Sequence, residues 1–477
     1  MTFTSFNFLI FFPLTVLACY LTPVKKRWIT LLLASYFFYI SIQPVYALLT
    51  AGITISTYIF TRWMEITISE KGKKRLMVAN IVIILTPLFF FKYFGAVNNG
   101  LMSWLAGTGL TWPLPEISLI LPVGISFYTF MAIGYTVDVY NEEVKTEWNP
   151  GILALFISFF PLVLSGPIER SGNMLPQFRN MGRIEYTNLT SGLKMMVWGY
   201  FMKLVVADRL GLYVDVVYNN IANHNGTSLL FASLLHPIQV YGDFGGYSLI
   251  ALGTAKILGF NVMANFNRPF FSVSVAEFWR RWHISLIKWL TDYIYTPLAF
   301  SMRRKGMTGI VIALLITFLL SGIWHEANWT FIIWGLMQGI FLSFEAITNR
   351  KRISVESRYR LNKKPYYILF NIVLTYILFT SSLIFGRAEN VNDALLIYQK
   401  IFTAPGPLYI EKSTLIYSFI GVSILFIKDF KDEYFPGKLE FFNNRNTVIR
   451  FASYIVVIFI ILLTGVLNGS QFIYFQF

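Results

Sequence analysis

Thr308-Gly309-Ile310-Val311-Ile312-Ala313-Leu314-Leu315-Ile316-Thr317-Phe318-Leu319-Leu320 is an almost unbroken apolar run. It continues directly into Ser321-Gly322-Ile323-Trp324-His325-Glu326-Ala327-Asn328-Trp329. Residues 329–344 are apolar again. Arg303-Arg304-Lys305 stands before the pair, and residues 350–364, with seven basic and one acidic side chain, stand after it. Two apolar arms with basic flanks on the same side read as a membrane hairpin with the flanks in the cytosol. Its tip carries a histidine between tryptophans.

Working outward, the rest of the chain agrees. Of 477 residues, 56% are hydrophobic and only 13% charged, with mean hydropathy +0.58. Soluble domains carry about 25% charged residues, so this is an all-α polytopic membrane protein. Aromatic residues make up 18% of the chain, in keeping with Trp and Tyr belts at the two interfaces. The net charge of +15 is not a nucleic-acid signal, because the basic residues cluster in short loops between apolar runs. The single cysteine, Cys19, excludes an intramolecular disulfide and a cysteine metal cluster. The N-terminus lacks a basic n-region and a small-residue cleavage site, and reads as a retained helix.

Residues 5–22, 28–43, 44–61 and 76–95 each approach the ~20 apolar residues a span requires. Lys25-Lys26-Arg27 and residues 62–75, with five basic and two acidic residues, are the loops the positive-inside rule assigns to the cytosol. Residues 96–118 contain no Lys or Arg and fall outside. Later spans are expected over 366–385, 414–427 and 451–467. Parity then leaves both termini extracytoplasmic. The middle is irregular. Residues 119–137 open with Leu121-Pro122-Val123-Gly124, residues 153–164 end in Ser165-Gly166-Pro167, and residues 229–260 are rich in Gly and carry His236, Asp243 and Lys256. Broken or re-entrant helices are tolerated at membrane depth only where protein or a cavity covers the freed backbone groups. The irregular middle therefore points to a cavity. We expect one integral-membrane domain over 1–477, with N-terminal helices at 1–118, a core at 119–349 and C-terminal helices at 350–477.

The chain has four histidines, His224, His236, His283 and His325. The last two lie in dense aromatic context. An ionisable side chain among apolar segments is a functional candidate by default. From Thr308 to His325 a helix would rise about 26 Å. A neutral imidazole there can act as a general base, because its unperturbed pKa lies near the working pH. The plainer alternative is a structural histidine at a hairpin tip. Taking residues 275–299 as one helix puts Glu277, Arg281, Ser285, Lys288 and Asp292 on one face, with two i,i+4 opposite-charge pairs. His283 lies about 200° around from Arg281 and turns inward, either as a satisfied core group or as a second functional one. No carboxylate or second histidine stands at metal-ligand spacing, so no metal is expected. Asp243, in Tyr241-Gly242-Asp243-Phe244-Gly245-Gly246-Tyr247-Ser248, could orient an imidazole or pair with Lys256 or Arg268; pairing is the favoured reading. Arg268, in Asn265-Phe266-Asn267-Arg268-Pro269-Phe270, is a candidate anchor for phosphate or a lipid headgroup.

Together these motifs resemble the membrane-bound O-acyltransferase family. The likeness rests on Phe278-Trp279-Arg280-Arg281-Trp282-His283-Ile284-Ser285-Leu286, the Asn267-Arg268-Pro269 turn, and Trp324-His325 with Trp334-Gly335. Leu121-Pro122-Val123-Gly124-Ile125-Ser126-Phe127, Ser165-Gly166-Pro167 and the segment around Asp243 are similar to its bacterial branch, which acylates exported polymers. Phe385-Gly386-Arg387-Ala388-Glu389 and the terminal Phe472-Ile473-Tyr474-Phe475-Gln476-Phe477 favour the alginate O-acetyltransferase-like subgroup. The resemblance spans nearly the whole chain. It implies a ring of about eleven transmembrane helices, plus interfacial and re-entrant ones, around a central channel in the bacterial inner membrane. His325 matches the family's near-invariant histidine and His283 its second one, with Trp324 and Asn328 in support. Glu326-Ala327 departs from the small residues of many relatives, and Gln338 stands where histidine is common. The implied donor is acetyl-CoA or another acyl thioester, with no tightly bound cofactor. The implied partners are membrane lipids and an extracellular SGNH-type acetyltransferase. Tyr474 is the candidate acyl acceptor, since an aryl ester remains activated; its alternative is an aromatic-belt residue. Two other classes fit the broken helices: a carrier for an acyl donor or lipid-linked sugar, and an acyltransferase for an intracellular lipid.

Overall fold

The computed structural model describes residues 1–108, 121–182, 185–409, 411–438 and 440–467. Within them every regular element is helical. Seven helices are long and apolar enough to cross a membrane: Pro44–Ile66, Glu70–Lys92, Met307–His325, Trp329–Arg358, Pro365–Arg387, Lys412–Tyr434 and Thr447–Thr464. Phe6–Leu21 and Pro150–Val163 are apolar but shorter. The second of these is interrupted at Phe159, whose ψ of 109° lets Pro161 sit in the first turn of the next helix, where a missing N–H costs nothing. The outward faces carry the apolar side chains that a soluble protein would bury. On Thr447–Thr464 only Val457 is buried, while Phe459 and Leu463 are 57% and 76% exposed. Such a face requires hydrocarbon as its solvent.

The chain divides into two compact units. The first comprises Met1–Leu193 and Ala251–Met263. Its helices pack through small and polar groups, as expected where lipid supplies no hydrophobic drive between helices. On Ala47–Ile66 the hydroxyls of buried Thr54, Thr57 and Thr61 donate to carbonyls one turn back, at 2.7–2.8 Å. Buried Asn80 links two neighbours: its Nδ2 donates to Thr136 Oγ1 at 2.8 Å and its Oδ1 accepts from Ser56 Oγ at 2.8 Å. The Pro-Val-Gly turn read from the sequence opens helix Ile125–Tyr140 at Gly124, where φ is +77° and an added Cβ would fall 2.1 Å from the Val163 carbonyl oxygen. Only glycine fits both demands.

The second unit, Lys194–Ile250 and Ala264–Phe477, contains both aromatic-flanked histidines. Two π-helical segments, Phe201–Ala207 and Tyr241–Gly245, lie side by side in it. Widened turns of this kind recur at functional sites. The 307–358 hairpin forms as the sequence predicts and closes tightly. A Cβ on Gly322 would stand 2.3 Å from the Phe331 carbonyl oxygen, and one on Gly335 2.4 Å from that of Phe318.

The region over 275–299 departs from the single helix expected. It is Val275–Arg281, Ile284–Leu290, a π-turn Thr291–Tyr295 and Thr296–Ser301, with a break at Trp282 and His283. Tertiary hydrogen bonds make the break. Asn267 N–H donates to the Arg281 carbonyl and Ile284 N–H to the Asn265 carbonyl, both at 2.9 Å, in place of intrahelical partners. The Glu277–Arg281 pair forms at 2.7 Å, but the polar stripe does not run on across the break.

Candidate active site

His283 sits at this break with left-handed backbone angles, φ +46° and ψ +49°. Such a conformation is uncommon for a non-glycine residue, and strain of this kind concentrates at functional positions. Its ring is 1% exposed and lies edge-on to Phe244, with centroids 4.7 Å apart. Asn265 fixes its tautomer. Asn265 Oδ1 accepts from Ser285 N at 3.2 Å and from Ser285 Oγ at 3.0 Å, which orients the amide. The same oxygen lies 3.2 Å from His283 Nδ1, so Nδ1 is the atom that carries the proton. Burial pushes the His283 pKa down to about 3, so the ring is neutral at physiological pH. Nε2 therefore presents a lone pair, not a proton.

His325 is the last residue of helix Met307–His325 and is 8% exposed. Its imidazole stacks on Phe331 at 5.8 Å and meets Trp334 edge-on at 5.1 Å. The Trp324 indole is the common neighbour of both histidines, 4.7 Å from His325 and 6.3 Å from His283. Two imidazoles 42 positions apart in sequence thus converge on one ring inside an aromatic cluster. That cluster also includes Trp279, Phe318 and Phe379.

The other residues singled out from the sequence have different surroundings. Asp243 does form an ion pair, but with neither Lys256 nor Arg268. Its partner is Lys203, at 2.6 Å, and Lys203 also reaches Asp208 at 2.7 Å. All three side chains are at most 2% exposed. The reason is local: Lys203 and Asp243 occupy the two apposed π-turns, whereas Lys256 donates to Asn261 at 2.6 Å. Asp243 pins the segment that holds Phe244 against His283. Arg268 is engaged by Glu433 at 3.0 Å, and Glu433 also binds both terminal nitrogens of Arg281 at 2.9 Å. Glu433 bridges the two arginines, and with Glu277 on Arg281 two carboxylates balance two cations, so Arg268 is built into a network. Asn328 supports the hairpin tip. Its Oδ1 caps Thr330 N at 3.2 Å and its Nδ2 donates to the Glu389 carbonyl at 2.9 Å. Tyr474 lies outside the described residues. No group of three or more His, Cys, Asp or Glu side chains able to hold a metal occurs among the described residues.

Sequence reading missed Asn265, Lys203 and the role of Gln338. Lys203 carried a signal, being the one charged residue between Lys194 and Asp208. Asn265 carried none beyond its place in a turn. Gln338, 1% exposed, accepts from Trp279 Nε1 at 3.0 Å and donates to Ser382 Oγ at 2.6 Å. It ties three helices behind the histidines.

Residues 139–386 match the model of the MBOAT, membrane-bound O-acyltransferase family. The chain is similar to the probable alginate O-acetylase of Pseudomonas aeruginosa, 33% identical over 411 residues that cover 84% of this chain and 75% of that protein. It is similar to the peptidoglycan O-acetyltransferase of Helicobacter pylori, 31% identical over 78% of this chain and 72% of that one. The teichoic acid D-alanyltransferase of Bacillus subtilis is 26% identical over 61% of this chain and 74% of its own.

Proposed function

Since this chain belongs to the membrane-bound O-acyltransferase family, we propose that it moves an acetyl group from a cytosolic thioester toward a polymer outside the cell. It is a multi-pass membrane enzyme, an O-acyltransferase. The relatives at 31–33% identity are named as acetyl transferases and the 26% relative as a D-alanyl transferase, which favours acetyl. In this reading both termini face outward. About eleven spans, the seven long helices among them, ring a channel in which acetyl-CoA from one side meets the acceptor from the other.

The observation that carries the reading is the convergence of His283 and His325 on Trp324 within a buried aromatic cluster. His325, the less buried of the two, takes the proton of the attacking hydroxyl as its oxygen bonds to the thioester carbonyl carbon. The C–S bond then breaks, and the departing thiolate takes that proton from the imidazolium and leaves as free thiol. His283, neutral and held by Asn265, stands beside Trp324 and helps to orient the thioester in the site. Tyr474 is the proposed first acceptor. Phenols in general titrate at about 10 and are good leaving groups, so a tyrosyl ester would keep the acetyl group activated for an extracellular SGNH-type partner.

The test compares polymer ester content in wild type, His325→Ala and Tyr474→Phe strains at matched protein levels. Both variants should lose ester while remaining folded. Normal ester in His325→Ala refutes the site, and normal ester in Tyr474→Phe refutes the relay alone. Free thiol released from acetyl-CoA by the wild type separates the enzyme from a carrier, which releases none.

A further inference from the structure

A thioester carbonyl turns into an oxyanion during acyl transfer, and an enzyme lowers that barrier with fixed hydrogen-bond donors aimed at the oxygen. His283 cannot serve, because its proton is held at Nδ1 by Asn265. The donor must be another group near His325.

Trp334 meets the requirement. It is 4% exposed, and its ring stands perpendicular to the His325 imidazole, 5.1 Å away. Its Nε1–H has no hydrogen-bond partner among the described residues. Trp279, 5.9 Å away in the same cluster, shows the contrast, since its indole N–H is satisfied by Gln338. A buried donor left without an acceptor is destabilising, and a phenyl ring would pack in this cluster without that penalty. One turn earlier on the same helix face, Thr330 Oγ is also fully buried and without a partner among the described residues. The face beside His325 thus holds polar hydrogens that the described residues leave unmatched.

We propose that Trp334 is a catalytic residue whose indole N–H donates to the carbonyl oxygen of the bound acyl thioester. The inference rests on the reading of His325 as the proton acceptor. As the hydroxyl oxygen attacks the carbonyl carbon, the π pair moves onto the carbonyl oxygen and the N–H···O contact tightens. As the C–S bond breaks, the pair returns and the contact relaxes. The indole neither gains nor loses a proton.

The experiment uses the purified full chain in nanodiscs with acetyl-CoA, following release of free thiol. Trp334 is replaced by phenylalanine and, by codon suppression, with 3-benzothienylalanine, which keeps the bicyclic shape and puts sulfur in place of N–H. Loss of one such donor should lower kcat roughly 100-fold. KM for acetyl-CoA should stay near wild type, because the interaction matures only in the transition state, and the melting temperature of the isostere should not fall, because the N–H it removes has no partner among the described residues. An isostere that turns over at the wild-type rate overturns the proposal and leaves the indole as packing. A fall confined to KM overturns it as well. Wild-type protein that releases no thiol, or His325→Ala at full rate, removes the underlying reading and this inference with it.

Discussion

Replacing Gly322 with alanine tests how the hairpin holds His325. The new Cβ would fall 2.3 Å from the Phe331 carbonyl oxygen and 3.3 Å from Gly335 Cα, both on the facing helix. Contacts of a real Cβ essentially never lie under 3.0 Å, so the two backbones must part by at least about 0.7 Å. The obstruction is backbone, so no side chain can rotate away. Overpacking of this kind costs roughly 1–3 kcal/mol. The more specific consequence is geometric. Gly322 is one turn from His325, and Phe331 stacks on that imidazole, so parting the helices at this level shifts the ring. A displacement near 1 Å in a catalytic group can lower turnover about 100-fold. Gly52→Ala is the control: it lies in helix Ala47–Ile66, and an added Cβ meets nothing within 4 Å. Helix propensity favours alanine there by about 1 kcal/mol. The assay measures acetyl transfer and thermal unfolding for both variants in one detergent. Gly322→Ala should lose most activity and some stability, and Gly52→Ala should lose neither. Full activity in Gly322→Ala would mean that the hairpin contact does not set the position of His325.

Gln338→Leu strands the Trp279 indole N–H, at a cost of about 1–3 kcal/mol when buried, while the Ser382 hydroxyl keeps its bond to the Phe379 carbonyl. Thermal unfolding should show the loss, and Gln338→His, able to accept and donate, should recover much of it. Lys203→Met leaves Asp208 and Asp243 buried without their cation, a loss of ~3–5 kcal/mol. Adding Asp243→Asn should restore part of the stability, and no recovery would argue against the ion pair as the cause. The lowered His283 pKa means that the unfolded chain takes up a proton between its ordinary pKa near 6.5 and about 3, where the folded chain does not. The stability contribution is therefore full above pH 6.5 and is lost as pH falls through that window. Unfolding at pH 7.5 and 5 should show His283→Asn, which tolerates the left-handed backbone, to be less acid-sensitive than wild type.

Much of this protein is legible from one dimension. Apolar runs with basic flanks fix the helix class, because hydrocarbon leaves no other way to satisfy the backbone. The 307–358 hairpin, the Gly124 turn and the aromatic setting of His283 and His325 are all readable, since each is a local pattern of residue types. Sequence periodicity failed over 275–299, where it assumed an unbroken helix. The bonds that break it come from Asn265 and Asn267, and no spacing within the helix reveals them. The same holds for charge pairing. Sequence offered Lys256 or Arg268 to Asp243, but the two π-turns bring Lys203 to it and leave Arg268 to Glu433. Residue types and their periods determined what the chain is and which side chains are candidates for its chemistry. Tertiary structure alone decided the tautomer of His283, the common neighbour of the two imidazoles and the Trp334 N–H left unmatched among the described residues. Those depend on distances between segments far apart in the chain, and hydrogen bonds act only at contact.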